Sequence, residues 1–163
     1  MRVYQGLGGT IGVAGTFDDP DGFRRASLLA AAFLALVGIC ALAFVRPWGL
    51  RLPRWLVILP ALAGSAYAAA HALTGYVTKL LDLAGVVNLD FKGWATLDEG
   101  ELIAWDLLFY EPWFLGLGVL VTLGAVHHYR RTGGSQRGER RLVAITAGAA
   151  VGLAAVSIVL VIS

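Results

Sequence analysis

Four stretches of this chain, Ser27–Val45, Trp55–Thr78, Pro112–Tyr129 and Leu142–Ser163, contain no Asp, Glu, Lys or Arg. They are 19, 24, 18 and 22 residues long, about half of the 163-residue chain. A helix advances about 1.5 Å per residue against a hydrocarbon layer about 30 Å thick, so each run reaches across or nearly so. A soluble core of this size could not bury them. Charged residues make up only 15% of the chain, where a soluble domain carries roughly a quarter. The sequence therefore predicts a single all-α membrane domain over 1–163. Its four transmembrane helices would run over 27–45, 55–78, 112–129 and 142–163, with one longer outer loop holding a short helix.

Arginine placement sets the orientation, because Lys and Arg near the ends of spans stay on the cytoplasmic side. The loops 46–54 and 130–141 hold eight of the thirteen basic residues and one of the eleven acids, Glu139. Both loops are expected in the cytoplasm, with loop 79–111 and both termini outside. Arg24 and Arg25, just before the first span on its outer side, run against this pattern. The interface aromatics agree with it: Trp48 and Trp55 flank the first cytoplasmic loop, Tyr129 closes the third span, and Trp105, Tyr110 and Trp113 mark its outer entrance. The arginines Arg130, Arg131, Arg137, Arg140 and Arg141 are expected to contact anionic lipid. Nucleic-acid binding is not expected.

In the long outer loop, Thr96 followed by Glu99 has the spacing of a capping box. A short helix is expected there, either lying on the membrane or continuous with the third span. The acidic group Asp98, Glu99, Glu101 and Asp106 lacks the spacing of a calcium loop and reads as solvated. The amino-terminal residues 1–26 form an outer, Gly-rich segment, with Gly8, Gly9 and Gly12 breaking what a secretory signal would need as its apolar centre. Cys40 is the single cysteine, which excludes an intrachain disulfide.

Polar residues within spans point to a candidate pocket. Tyr67, His71, Thr74 and Thr78 recur at spacings of four, three and four, on one face of the second helix. Glu111 begins the third helix on the same outer side. His71 and Glu111 could form an acid–base or binding pair; the more ordinary reading is interhelical hydrogen bonding by the stripe, with Glu111 placed favourably at a helix start. His127 and His128 are adjacent, so they do not form the i, i+4 pair that binds zinc, and they read as an interfacial helix end. No metal site and no cofactor are called for.

For helix packing, Ala144, Gly148 and Gly152 on the fourth span and Gly64, Ala68 and Ala72 on the second recur every four residues, as closely approaching helices require. These faces could meet within the bundle or form a homo-oligomer seam or a contact within a larger membrane complex.

Two stretches carry a resemblance: Val45-Arg46-Pro47-Trp48-Gly49 with Leu52-Pro53-Arg54-Trp55, and Tyr110-Glu111-Pro112-Trp113-Phe114-Leu115 with Tyr129-Arg130-Arg131. Over about residues 4–131 the chain resembles an uncharacterised family of small multi-pass membrane proteins common in actinobacteria, a domain of unknown function. The resemblance implies a fold and a bacterial plasma-membrane location, and no activity. It also implies a further helix ahead of Tyr4-Gln5-Gly6-Leu7-Gly8-Gly9, of which 1–26 would carry the remnant.

Phosphate-loop, dinucleotide-binding and Ser/His/Asp signatures are absent from the sequence, and no catalytic motif replaces them. The expectation is a structural, binding or accessory membrane protein. The first alternative is a membrane-embedded enzyme or binder acting on a lipid or quinone-like molecule through the outer-leaflet pocket. The second is a transporter subunit, although no charged residue lies mid-span to carry an ion.

Overall fold

The computed structural model describes residues 1–162; Ser163, the last residue of the expected fourth span, lies outside them. Among the described residues, four helical segments are long and apolar enough to cross a membrane: Pro20–Phe44, Arg54–Leu83, Glu99–Arg131 and Gln136–Ile162. In chain order the elements are α1 (Arg2–Gly6), β1 (Gly15–Phe17), α2 (Pro20–Ala41), α3 (Arg54–Leu83), β2 (Trp94–Leu97), α4 (Glu99–Trp105), α5 (Glu111–Arg131) and α6 (Gln136–Ile162). Two 3-10 turns, Leu42–Phe44 and Pro47–Arg51, join α2 to α3.

Local chemistry explains the boundaries. The Asp19 side chain accepts from Gly22 N at 2.8 Å and Pro20 opens α2, a preorganised helix start. Asp98 caps α4 by accepting from Glu101 N at 2.9 Å. The expected cap, Thr96, instead belongs to β2, where its hydroxyl lies 2.7 Å from that of Thr16 on β1. A strand residue has no helix amide within reach, so the capping box is not formed. The short helix continues the third span: α4, a π turn over Asp106–Tyr110 and α5 form one 33-residue helix.

The helix α3 is the hub, with α5 and α6 packed along it. At the end of the trunk where α3 begins, Phe44, Val57, Ile58, Ala61, Leu62 and Ala125 form a buried apolar cluster. Midway, Gly118 brings α5 against α3, where an added Cβ would lie 3.0 Å from the Ser65 carbonyl oxygen. The stripe that α6 buries is Thr146, Ala150 and Ala154. Ala144, Gly148 and Gly152 are exposed, as is Gly64, while Ala68 and Ala72 are buried in α3. Within the bundle the Ala144, Gly148 and Gly152 stripe therefore does not face α3, which leaves the homo-oligomer or complex alternative for it. Eight of the twelve residues 144–155 are Ala or Gly, so several seams fit nearly equally and the spacing rule does not choose among them.

The four expected long apolar helices are present, and three of them form the trunk. The fourth, α2, joins it only at its ends: its start on α1 and β1, its end through the Leu42–Phe44 turn against α5. Ser27 is its one buried residue, and Leu29, Phe33, Leu36 and Ile39 are exposed. Hydrocarbon solvates an apolar helix as well as another helix does, so nothing hydrophobic draws the middle of α2 inward.

Candidate ligand site at the capped end of the bundle

The end of the trunk where α3 finishes is built on a lysine. Lys79, near the end of α3, places its Nζ 2.6 Å from Glu111 Oε1 and 2.9 Å from Asp106 Oδ2. Glu111 is 1% exposed. An α-helix turns about 100° per residue, which would set Asp106 and Glu111 roughly 140° apart. The π turn widens the winding, because its hydrogen bonds run from i to i+5, and residues five apart come to share a side. That local geometry brings both carboxylates to one ammonium. Tyr76 Oη supports the turn by donating to the Leu107 carbonyl at 3.4 Å. Asp106, expected to be solvated with Asp98, Glu99 and Glu101, is instead part of this cluster, whereas the other three are exposed.

The amino-terminal segment folds over the same end. Gln5, 1% exposed, donates from Nε2 to the Ile11 carbonyl and to Tyr110 Oη, both at 3.2 Å. Tyr110 in turn donates to the Gly12 carbonyl at 3.2 Å. Gly12 has φ +73°, and an added Cβ would lie 2.7 Å from the Tyr110 hydroxyl, so glycine is required both for the bend and for the approach. The chain then enters β1, which pairs antiparallel with β2 through Gly15–Leu97, Thr16–Thr96 and Phe17–Trp94. The segment 1–26 and the loop 79–111 therefore build one cap.

Between cap and trunk lies a half-open cavity of about 230 Å³. Phe17 stacks on Phe23 at 3.9 Å and packs on Trp94 at 4.1 Å, forming one aromatic wall. His71 packs on Phe114 at 4.4 Å as a second ring contact of the lining. Arg2, Asp106 and Tyr110 supply polar lining, with the Arg2 guanidinium carbon 5.9 Å from the Tyr110 ring centroid.

The sequence stripe divides across this site. His71 lines the cavity from an exposed position, and Tyr67, one turn earlier in α3, is 68% exposed. Thr78 is buried and donates back to the Thr74 carbonyl at 2.8 Å; Thr74 is partly buried. The expected His71–Glu111 pair is replaced by Lys79–Glu111. The Glu111 carboxylate lies over Gly75, one turn outward from His71, and His71 meets Phe114, one turn inward from Glu111. An acid–base pair of His71 with Glu111 is therefore not assembled. Sequence reasoning missed Lys79, which looked like the polar end of α3, and the lining residues Arg2, Gln5, Phe17, Phe23 and Trp94, which come from segments far apart in sequence.

The opposite end of the trunk holds α2 in place. Arg131 Nη1 donates to the carbonyls of Phe44 and Val45 at 3.4 and 3.3 Å, where a cation also meets the favourable end of a helix dipole. His128 is fully buried, with its ring centroid 6.5 Å from that of Phe44, so only His127 of the adjacent pair fits the interfacial reading. Arg130 binds Glu139 through Nε at 2.6 Å and Nη2 at 2.5 Å.

The fold and the cap define a class: a small helical protein with four segments suited to a membrane and an aromatic cavity at one end of its trunk. The chain belongs to the family described as Protein of unknown function (DUF3995), whose model matches residues 1–121. No curated protein and no solved structure matched it. The matched stretch contains every lining residue of the cavity and all three members of the ion cluster; α6 lies beyond it.

Proposed function

We propose that this chain is a small multi-pass protein of a bacterial plasma membrane that binds an amphiphilic, lipid-class molecule in the cavity beneath its outer cap. The observation that carries this reading is the cavity beside His71, with aromatic walls and a few convergent polar groups, the composition of small-molecule sites generally. Loops 46–54 and 130–141 face the cytoplasm in this proposal, and the cap and both termini face outward. The role is one of binding or accessory function, since the site lacks an assembled acid–base pair. Arg137, Arg140 and Arg141, exposed beside the fourth span, suit contact with anionic headgroups. Purification with native lipids followed by mass spectrometry tests the binding reading. A co-purifying amphiphile should be retained by the natural chain and lost when Leu102→Trp fills the cavity. Equal lipid content in both proteins refutes it.

The exposed small-residue stripe Ala144, Gly148 and Gly152 favours a second property, self-association through α6 or docking in a larger membrane complex.

A further inference from the structure

We infer that the cavity takes a zwitterionic head group, an anionic phosphate joined through a short linker to a primary ammonium, as in an aminophospholipid of the phosphoethanolamine class. This rests on the reading of the cavity as an amphiphile site, and it follows from two lining charges of opposite sign that the protein leaves unmatched.

The positive one is Arg2. It is partly buried, lines the cavity and makes no ion pair among the described residues. Its neighbours are uncharged: one N–H goes to Gln5 Oε1 at 3.2 Å, and the guanidinium carbon lies 5.9 Å from the Tyr110 ring centroid. A guanidinium offers five N–H donors in a planar fork that fits phosphate or carboxylate oxygens. Most of that capacity is unspent.

The negative one is Asp106. Lys79 is shared between Asp106 and Glu111, so the three groups together carry one negative charge in excess. Glu111 is 1% exposed and does not line the cavity, whereas Asp106 does. Lys79 holds Asp106 through Oδ2, and Oδ1 accepts no hydrogen bond among the described residues. The excess charge therefore meets the cavity as a free acceptor.

The two groups border one space without pairing with each other. A purely anionic head would satisfy Arg2 and set a like charge beside the cluster, and a purely cationic head would do the reverse. An uncharged head would leave both charges uncompensated where it displaces water, which is costly. A zwitterion meets both: its phosphate oxygens take the Arg2 fork, and its ammonium donates to Asp106 Oδ1. A quaternary ammonium has no N–H for that oxygen. His71 makes no hydrogen bond among the described residues, and an imidazole can donate or accept, so it serves either half of the head.

Size confines the head to the cavity and the chains to its open side. Pockets that enclose a drug-sized ligand run to roughly 300–1,000 Å³, and this one holds about 230 Å³. Phe23 near the start of α2 lines it, and beyond Phe23 the helix α2 does not pack along α3 or α5.

The protein in maltoside micelles is titrated with dihexanoyl phosphatidylethanolamine and, separately, with phosphatidylglycerol of the same chains, which has the phosphate and lacks the ammonium. Tryptophan fluorescence is followed, with Trp94→Phe defining the share that comes from the cavity. The natural chain should bind the ethanolamine lipid about tenfold more tightly. Arg2→Gln should weaken both lipids about tenfold, Asp106→Asn should abolish the preference between them, and Arg51→Gln at the opposite end should change neither. Thermal melting establishes that each variant is folded; if Asp106→Asn is not, the preference of the natural chain and its loss of affinity in Arg2→Gln carry the test. Glycerophosphoethanolamine, the same head without chains, should compete at least tenfold more weakly than the lipid. Equal competition would keep the zwitterionic head and remove the amphiphile. Equal affinity of the natural chain for the two lipids overturns the zwitterionic head and leaves the amphiphile site standing. A preference that survives in folded Asp106→Asn, or affinity unchanged in folded Arg2→Gln, overturns the placement of the head. Failure of the folded natural chain to bind either lipid through a Trp94-dependent signal removes both readings.

Discussion

Gly75 has no side chain where the Glu111 carboxylate lies, and this is what lets a charged residue on α5 cross the α3 interface to reach Lys79. A Cβ at that position would overlap the carboxylate itself. Gly75→Ala should therefore destabilise the protein by about 1–3 kcal/mol, the usual cost of overpacking, despite alanine's better helix propensity. Thermal melting in detergent measures it. A melting temperature at or above that of the natural chain would show that Glu111 moves aside freely.

Lys79 is the ion-pair partner of both carboxylates, so its removal is worse than removal of the whole cluster. Lys79→Met strands Glu111 and Asp106 and should cost about 3–5 kcal/mol. The triple change Lys79→Met, Asp106→Asn, Glu111→Gln leaves no uncompensated charge and should recover most of that loss. A triple variant less stable than Lys79→Met would mean that the cluster does not act as a unit.

The two small-residue stripes of α6 are separable by experiment. Ala150 is 4% exposed and faces the trunk, so Ala150→Leu should lower stability by about 1–3 kcal/mol. Gly148 has nothing within 4 Å of an added Cβ, so Gly148→Leu should leave melting of the monomer unchanged. If that stripe is a self-association seam, the same change should abolish dimers seen by cross-linking in membranes. Melting effects in the reverse order would contradict the orientation of α6.

Orientation in the membrane is tested by labelling. In a Cys40→Ala background, Lys92→Cys in the cap and Gln136→Cys in the basic loop both lie at exposed positions. An impermeant thiol reagent applied to intact cells should modify the first and spare the second. Equal modification rejects the proposed topology.

The separation between what was readable and what was not follows the range of the forces involved. Hydropathy acts along the chain itself, so the four apolar runs, the long loop between the second and third and the start of its short helix within a few residues could be read without any knowledge of contacts. His71 was legible only as a polar residue on an apolar helix, and its neighbour Phe114 was not. Nor was the ion cluster. Glu111 and Asp106 converge on Lys79 only because a π turn changes the winding by a fraction of a turn, a difference that apolar spacing does not record. Likewise Gly148 and Ala150 are equally small, and a rotation of α6 decides which one is buried. The cavity depended on the tertiary structure entirely. Its walls come from α1, β1, the start of α2, α3, β2 and the helix that begins at α4, and their meeting is fixed by the Gly12–Tyr110 and β1–β2 contacts across nearly a hundred residues of chain. Sequence by itself determined where the chain can leave water. Tertiary structure decided which side chains face one another, because that choice rests on helix rotation and cap geometry rather than on composition.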